Sequence, residues 1–402
     1  MKLDSVKLIE SPRLWVSERP VFLAPEQLKG VHRFHKSIPG YARTPLCEWG
    51  SYAEKHGVRS ILVKDESKRF GLRAFKGLGG SYAIFRVVCE ELGLDPLETT
   101  LGDLKSERYR EAVSKMTFIT TTDGNHGKGV AWASGLLGCK SYVYMPRGSV
   151  EARAQAIRDA GQAEVTITDL PYDDCVRYTA ELAETNHWYL VQDTSWAGYE
   201  KIPQWIIQGY TTMLYEALEQ MREKGYSRPT HVFLQAGVGA MAGSMLGALC
   251  NIFKEDLPVV SIVEPEEVAC IFESARQGDG REHKATGSEI TIMAGLNCAE
   301  PCTVTWPILR DFASYYFACA DEVAAQGMRK YAAPEEGDPK VISGESGAVT
   351  MGLLSRLLEE EAMEPIREKL GLNEDAVILL FNTEGDTDPE NYQRIVSGKG
   401  LL

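Results

Sequence analysis

From Thr117 to Val191 the chain switches repeatedly between two periods. Thr117-Phe118-Ile119-Thr120, Ser141-Tyr142-Val143-Tyr144-Met145, Glu164-Val165-Thr166-Ile167 and Trp188-Tyr189-Leu190-Val191 are short runs rich in β-branched and aromatic residues. The stretches Val130–Leu137, Val150–Ala160 and Asp173–Glu184 between them carry helical patterning. Strands separated by helices at this spacing predict a parallel sheet, because a parallel pair needs a long crossover where an antiparallel pair needs only a turn. After Pro203, the residues Ile206, Tyr210, Met213, Leu214, Ala217 and Met221 recur at helical spacing and mark a long amphipathic helix. A second alternation follows, with strands at Val232-Phe233-Leu234, Val259–Val263 and Ala376–Phe381. The expected class is α/β, with two parallel-sheet units joined by an irregular segment.

A chain of 402 residues has room for two or three domains, or for one inserted in another. Residues 1–50, rich in proline and charge, read as an arm packed on the body. A net charge of −14 sets a like field against a phosphate backbone, and no basic run offsets it, so no nucleic-acid partner is expected. No apolar run approaches the ~18 residues needed to span a bilayer, so no membrane partner is expected either. Met1–Lys7 lacks the apolar core of a signal peptide. Nine dispersed cysteines fit a reducing cytoplasm with free thiols, and Cys270 and Cys298 are expected as two buried thiols, a reversible pair between them being the alternative. Cys298 and Cys302 lie four apart without a matching Cys or His pair, so no metal is expected.

Four stretches carry candidate chemistry. Ile61-Leu62-Val63 runs into the charged loop Lys64–Ala74, and Lys76 follows beside Phe75, with Gly77, Gly79 and Gly80 after it and a helix from about Gly80 to Leu92. A lysine at such a junction can be partly desolvated, which favours the neutral amine that bonds to an aldehyde. Thr121–Gly127 places Asp123, Asn125 and His126 on a small-residue turn after a strand, where donors can be aimed into a crevice; plain helix capping would use the same residues. His126 has no second ligand at a supporting spacing. Gly237-Val238-Gly239-Ala240, extended to Gly243, is a glycine-rich turn into a helix and suits an anion, although it matches neither a P-loop nor a dinucleotide fingerprint. Ile342–Ala348 and Thr383–Asp388 are turns at element ends.

The order of these stretches, lysine loop, Asn loop, glycine loop and a hydroxyl at the last strand's end, resembles the fold-type II pyridoxal-phosphate enzymes, which include threonine dehydratase and the tryptophan synthase β subunit. The resemblance runs from about residue 40 onward. Within that family the strings KDESKRFGLRAFK, TTTDGNHGKGVAWA, QAGVGAMAG, IMAGL, SGESGA and TEGDTD are similar to those of the ammonia-lyases that act on 2,3-diaminopropionate. The resemblance implies pyridoxal 5'-phosphate held by Lys76, its ring hydroxyl on Asn125, its phosphate on Gly237, Val238, Gly239 and Ala240, and its ring nitrogen on Thr383. It implies a small domain, 83–192, inserted in a large one formed by 1–82 and 193–402, and a homodimer. The implied activity is α,β-elimination of a small amino-acid substrate, diaminopropionate, to pyruvate and two ammonia.

Asp123 stands where the wider family has a small residue before Gly-Asn. A carboxylate there suits a substrate with a second positive charge. It also offers a second base, since Lys76 reaches only one face of a planar adduct: Lys76 for the L enantiomer, Asp123 for the D enantiomer. Asp193, after the strand ending at Val191, is the candidate partner of the β-ammonium or an acid. Thr122 and Gly124 of the Asn loop are the candidate substrate contacts. The alternatives are a serine or threonine dehydratase, or a silent amino-acid or cofactor-binding protein on the same fold.

Overall fold

The computed structural model describes residues 2–3, 5–12, 18–122 and 124–400. They form two compact units, one of residues 1–24, 43–73 and 213–402, the other of 25–42 and 74–212. The second unit is wider than the 83–192 expected. A boundary after residue 82 would cut the helix Lys76–Glu91, and the N-terminal stretch contributes a helix of its own to this unit, Pro25–Ser37.

In chain order the strands are β1 (Lys2–Leu3), β2 (Val6–Glu10), β3 (Leu46–Glu48), β4 (Ser60–Asp65), β5 (Thr117–Thr121), β6 (Lys140–Met145), β7 (Glu164–Ile167), β8 (Tyr189–Leu190), β9 (His231–Gln235), β10 (Val259–Pro265), β11 (Tyr315–Cys319) and β12 (Val377–Asn382). The larger unit has one sheet in the order β1-β2-β11-β10-β9-β12-β4-β3. Its centre, β11 to β4, is parallel, while β2 and β3 pair antiparallel at its flanks. Residues 6–10, read from sequence as part of an arm, are therefore a sheet strand, with Ile9 opposite Tyr316. β4, β9 and β12 are buried along their whole length, which is why they read as apolar runs without alternation. Their carboxyl ends lie side by side and lead into the Glu66–Arg73 loop, the Gly237–Ala240 loop and the Thr383–Asp388 turn, so the larger unit gathers three of the candidate loops at one edge.

The Glu66–Arg73 loop is tied down by charge. Lys64, Glu66, Arg69 and Glu216 are all buried. Arg69 grips Glu66 through Nε and Nη2, both at 2.8 Å, and Glu216 through Nη1 at 2.9 Å and Nη2 at 2.7 Å. Lys64 Nζ donates to Glu216 Oε2 at 2.7 Å and to the Thr44 carbonyl at 2.8 Å. Two cations facing two carboxylates, with their remaining capacity filled by Thr44, keep the cost of burying charge within bounds. Further along, Phe70 and Arg73 take left-handed backbone at φ 51° and 59°. This costs non-glycine residues about 1 kcal/mol each. Arg73 is held there by the Gly385 N–H on its carbonyl at 2.9 Å and by Asp386 on its guanidinium at 3.1 Å.

The smaller unit has a four-stranded sheet, β7-β6-β5-β8, parallel throughout. Two helices that matter for the site, Lys76–Glu91 and Asn125–Leu137, meet across glycines. A Cβ at Gly129 would sit 3.0 Å from the Lys76 carbonyl group and the Gly77 nitrogen, and one at Gly80 would sit 3.2 Å from the Gly129 carbonyl carbon. Only backbone-to-backbone approach fits, and it brings the start of one helix against the first turns of the other.

Candidate active site

In the smaller unit Lys76 is the first residue of its helix, and Asn125 the first of the other. Both helices begin earlier than the patterning suggests, by four and five residues, because glycines that look like turn residues are packing positions inside the first turns. Lys76 Nζ lies 2.5 Å from Asp193 Oδ2, with both side chains mostly buried. The rings of Phe75 and Tyr210 flank the amine, their centroids 5.3 Å and 5.9 Å from Nζ. The lysine is thus an ion-paired amine in an aromatic corner. The desolvation argument alone did not anticipate the carboxylate, which favours the protonated amine, so Lys76 must lose a proton before the amine can act. Burial by itself would raise the Asp193 carboxyl, but His126 and Lys76 beside it bring it down to about 2.

Thr122 shapes the Asn loop. Its Oγ1 accepts the backbone N–H groups of Gly124 and Gly127, both at 3.0 Å. As an acceptor it is committed to the turn, and what it can offer a substrate is its own hydroxyl hydrogen. Gly124 and Asn125 are half-buried at the helix start. Asp123 lies outside the described residues. His126 is buried, with Nε2 2.7 Å from the Val191 carbonyl.

In the larger unit the glycine loop turns from β9 into the helix Ala240–Phe253. Gly239 caps it at φ 89°, where a Cβ would lie 2.6 Å from Leu309 Cδ1. No side chain caps this helix and no acidic residue occupies its first turn, so its leading N–H groups are available to an anion. Thr383 is buried beside this loop's strand. Gln235, the last residue of β9, donates from Nε2 to the Phe381 carbonyl at 2.8 Å and to Thr383 Oγ1 at 3.0 Å. The carbonyl can only accept, so the amide orientation is settled, Thr383 Oγ1 is an acceptor for Gln235, and its hydrogen remains for another acceptor. Sequence reasoning missed Gln235; its signal is a polar residue closing an apolar strand immediately before a glycine loop. The Ile342–Ala348 turn joins this edge through the Gly344 N–H on the Glu384 carbonyl at 3.2 Å. Burial and the nearby Glu384 push the Glu345 carboxyl up to about 7. Cys270 Sγ lies 3.6 Å from the Gly237 carbonyl, and neither Cys270 nor Cys298 forms a disulfide.

A mostly buried lysine amine in the smaller unit, and in the larger unit an uncapped glycine-lined helix start and a buried hydroxyl, are the kinds of group that hold pyridoxal phosphate. Residues 38–370 match the family described as pyridoxal-phosphate dependent enzyme. The chain belongs to this family. Among pyridoxal-phosphate-dependent enzymes, it is 48% identical over 398 residues to the diaminopropionate ammonia-lyase of Escherichia coli strain K12, covering 98% of each chain. The crystal structure of the Escherichia coli enzyme in complex with D-serine superposes with a TM-score of 0.90 at 46% identity, covering 97% of this chain and 96% of that one. The same enzyme in complex with an aminoacrylate-pyridoxal-phosphate azomethine intermediate gives 0.89 at 46% identity, with the same coverage.

Proposed function

We propose that this protein is a pyridoxal-phosphate-dependent lyase that converts 2,3-diaminopropionate, in both D and L forms, to pyruvate and two ammonia. The observation that carries the reading is the 48% identity to a diaminopropionate ammonia-lyase across 98% of both chains. Lys76 would hold the cofactor through its amine, Asn125 would meet the ring hydroxyl, Gly237, Val238, Gly239 and Ala240 the phosphate, and Thr383 the ring nitrogen. When bound, the cofactor supplies an electron sink for the charge left on Cα as the α-proton departs. Lys76 Nζ takes that proton from the L form and the Asp123 carboxylate takes it from the D form. Asp193 holds the β-ammonium. Thr122 and Gly124 position the substrate's carboxylate. A dication-bearing amino acid accounts for two aspartates in this part of the chain, which a serine or threonine dehydratase has no need of. We further propose a cytoplasmic homodimer, as the family resemblance implies. No helix among the described residues is long and apolar enough to cross a membrane.

Keto-acid release from D- and L-diaminopropionate, serine and threonine tests the activity. Faster turnover of serine or threonine than of either diaminopropionate would make the protein a dehydratase. No keto acid from any of them would make it a binding protein. Borohydride reduction followed by peptide mapping should find the pyridoxyl group on Lys76; label on Lys64 or Lys68 would sink the assignment.

A further inference from the structure

The catalytic scheme above leaves His126 without a task, although it shares the smaller unit with Lys76 and Asp193. Its Nε2 faces a backbone carbonyl, that of Val191, so Nε2 carries the hydrogen and Nδ1 holds the lone pair when the ring is neutral. Nδ1 is buried and has no hydrogen-bond partner among the described residues. It lies 3.7 Å from Asp193 Oδ2, the oxygen that is 2.5 Å from Lys76 Nζ. A lone pair aimed at a carboxylate gains nothing, whereas a proton on Nδ1 would convert the contact into an ion pair. Asp193 Oδ2 therefore faces two groups that can hold a proton, Lys76 Nζ and His126 Nδ1.

We infer that Lys76 and His126 are alternate proton holders for Asp193: as Lys76 Nζ gives up a proton, His126 Nδ1 takes one up, and Asp193 is ionised before and after the transfer. The inference rests on the proposed role of the Lys76 amine and deepens it. One N–H bond breaks at Nζ and one forms at Nδ1, with Asp193 Oδ2 as the bridge, so the summed charge of the three groups is unchanged. The need for such a device is physical. The amine must be neutral to bond a carbonyl carbon or to accept an α-proton. If its proton left for solvent, Asp193 would be a nearly buried carboxylate with no counter-charge, which is costly. Among the described residues, the charged groups acting on His126 are Asp193, from the loop after β8, and Lys76, from the start of its helix. Burial holds the ring below its usual range, Asp193 raises it and Lys76 lowers it. Loss of the Lys76 charge removes an opposing influence and leaves the favourable one. His126 is on this account a positioning residue that acts through Asp193.

The test is a histidine-ring NMR titration of the full chain stripped of cofactor, in parent and Lys76→Met protein. The His126 signal is assigned by its loss in His126→Gln, whose amide can still donate to the Val191 carbonyl. The titration midpoint of His126 should move upward in Lys76→Met. An unmoved or lowered midpoint overturns the inference. If Lys76→Met does not fold, Lys76→Gln takes its place. Kinetics of the loaded His126→Gln enzyme give a second readout: kcat should fall at least about tenfold, with KM changed much less and one limb lost from the pH profile. An unchanged kcat and profile would overturn the inference too. The titration needs no substrate, so a protein that shows the coupling but releases no keto acid from diaminopropionate refutes the proposed activity alone.

Discussion

Replacing Glu216 by glutamine keeps the side chain's size and leaves one buried cation in excess. Arg69 loses two charge-assisted bonds to Glu216 and Lys64 loses one, while Glu66 alone stays to balance both. Removing one member of a buried ion pair costs roughly 3–5 kcal/mol. With an m-value of roughly 3 kcal/mol/M, the urea midpoint at pH 7 should fall by about 1 M or more. Adding Lys64→Met to Glu216→Gln restores a one-to-one balance and should recover at least about 1 kcal/mol. The pH dependence has a definite sign. Burial would raise the Glu216 carboxyl, but Arg69 and Lys64 hold it well below its ordinary value of 4.5. A depressed folded value means stability that is fully present above the unfolded value and is lost as pH falls below it. The gap between parent and variant should thus be widest near neutrality and close in acid. A gap under about 1 kcal/mol at pH 7, or a double variant that costs the sum of the single ones, would refute the view that these four charges act as one buried network.

Gly239→Asp puts a side chain at φ 89°, into Leu309, with a negative charge at the helix start; it should lose cofactor absorbance while retaining most of its far-UV circular dichroism. Normal cofactor binding by that variant would place the phosphate elsewhere. Asp123→Asn should cost the D-diaminopropionate rate on the order of a hundredfold and the L rate far less; equal losses would reduce Asp123 to a binding residue. Gly129→Ala drives a methyl group to 3.0 Å from the backbone of Lys76 and Gly77, which should cost about 1–3 kcal/mol in thermal unfolding and lower kcat as well. Unchanged stability and kcat would mean that the two helices can separate freely at no expense to the lysine.

The amino-acid sequence by itself determined the α/β class, the lysine loop and the glycine turn, because each is written in neighbouring residues. β4, β9 and β12 are buried apolar runs, and the turn after β9 needs a glycine where φ is positive. The same local reasoning misplaced the starts of the helices at Lys76 and Asn125. Gly77, Gly79 and Gly80 look like loop residues, yet none of them has a positive φ. Gly80 and Gly129 are small so that two helix backbones can touch, and that fact belongs to a partner helix some fifty positions away. The N-terminal strand β2 was hidden for a related reason: a strand at the flank of a sheet is specified by the edge it covers, here β11, itself absent from the expected strands. What only the tertiary structure decided is the electrostatic setting of the chemistry. Asp193 meets Lys76 across 117 positions, and Gln235 orients Thr383 across 148. Periodicity and spacing report on a residue's own element, whereas a proton's resting place depends on which charges and carbonyls are brought within a few ångströms, and folding alone brings them there.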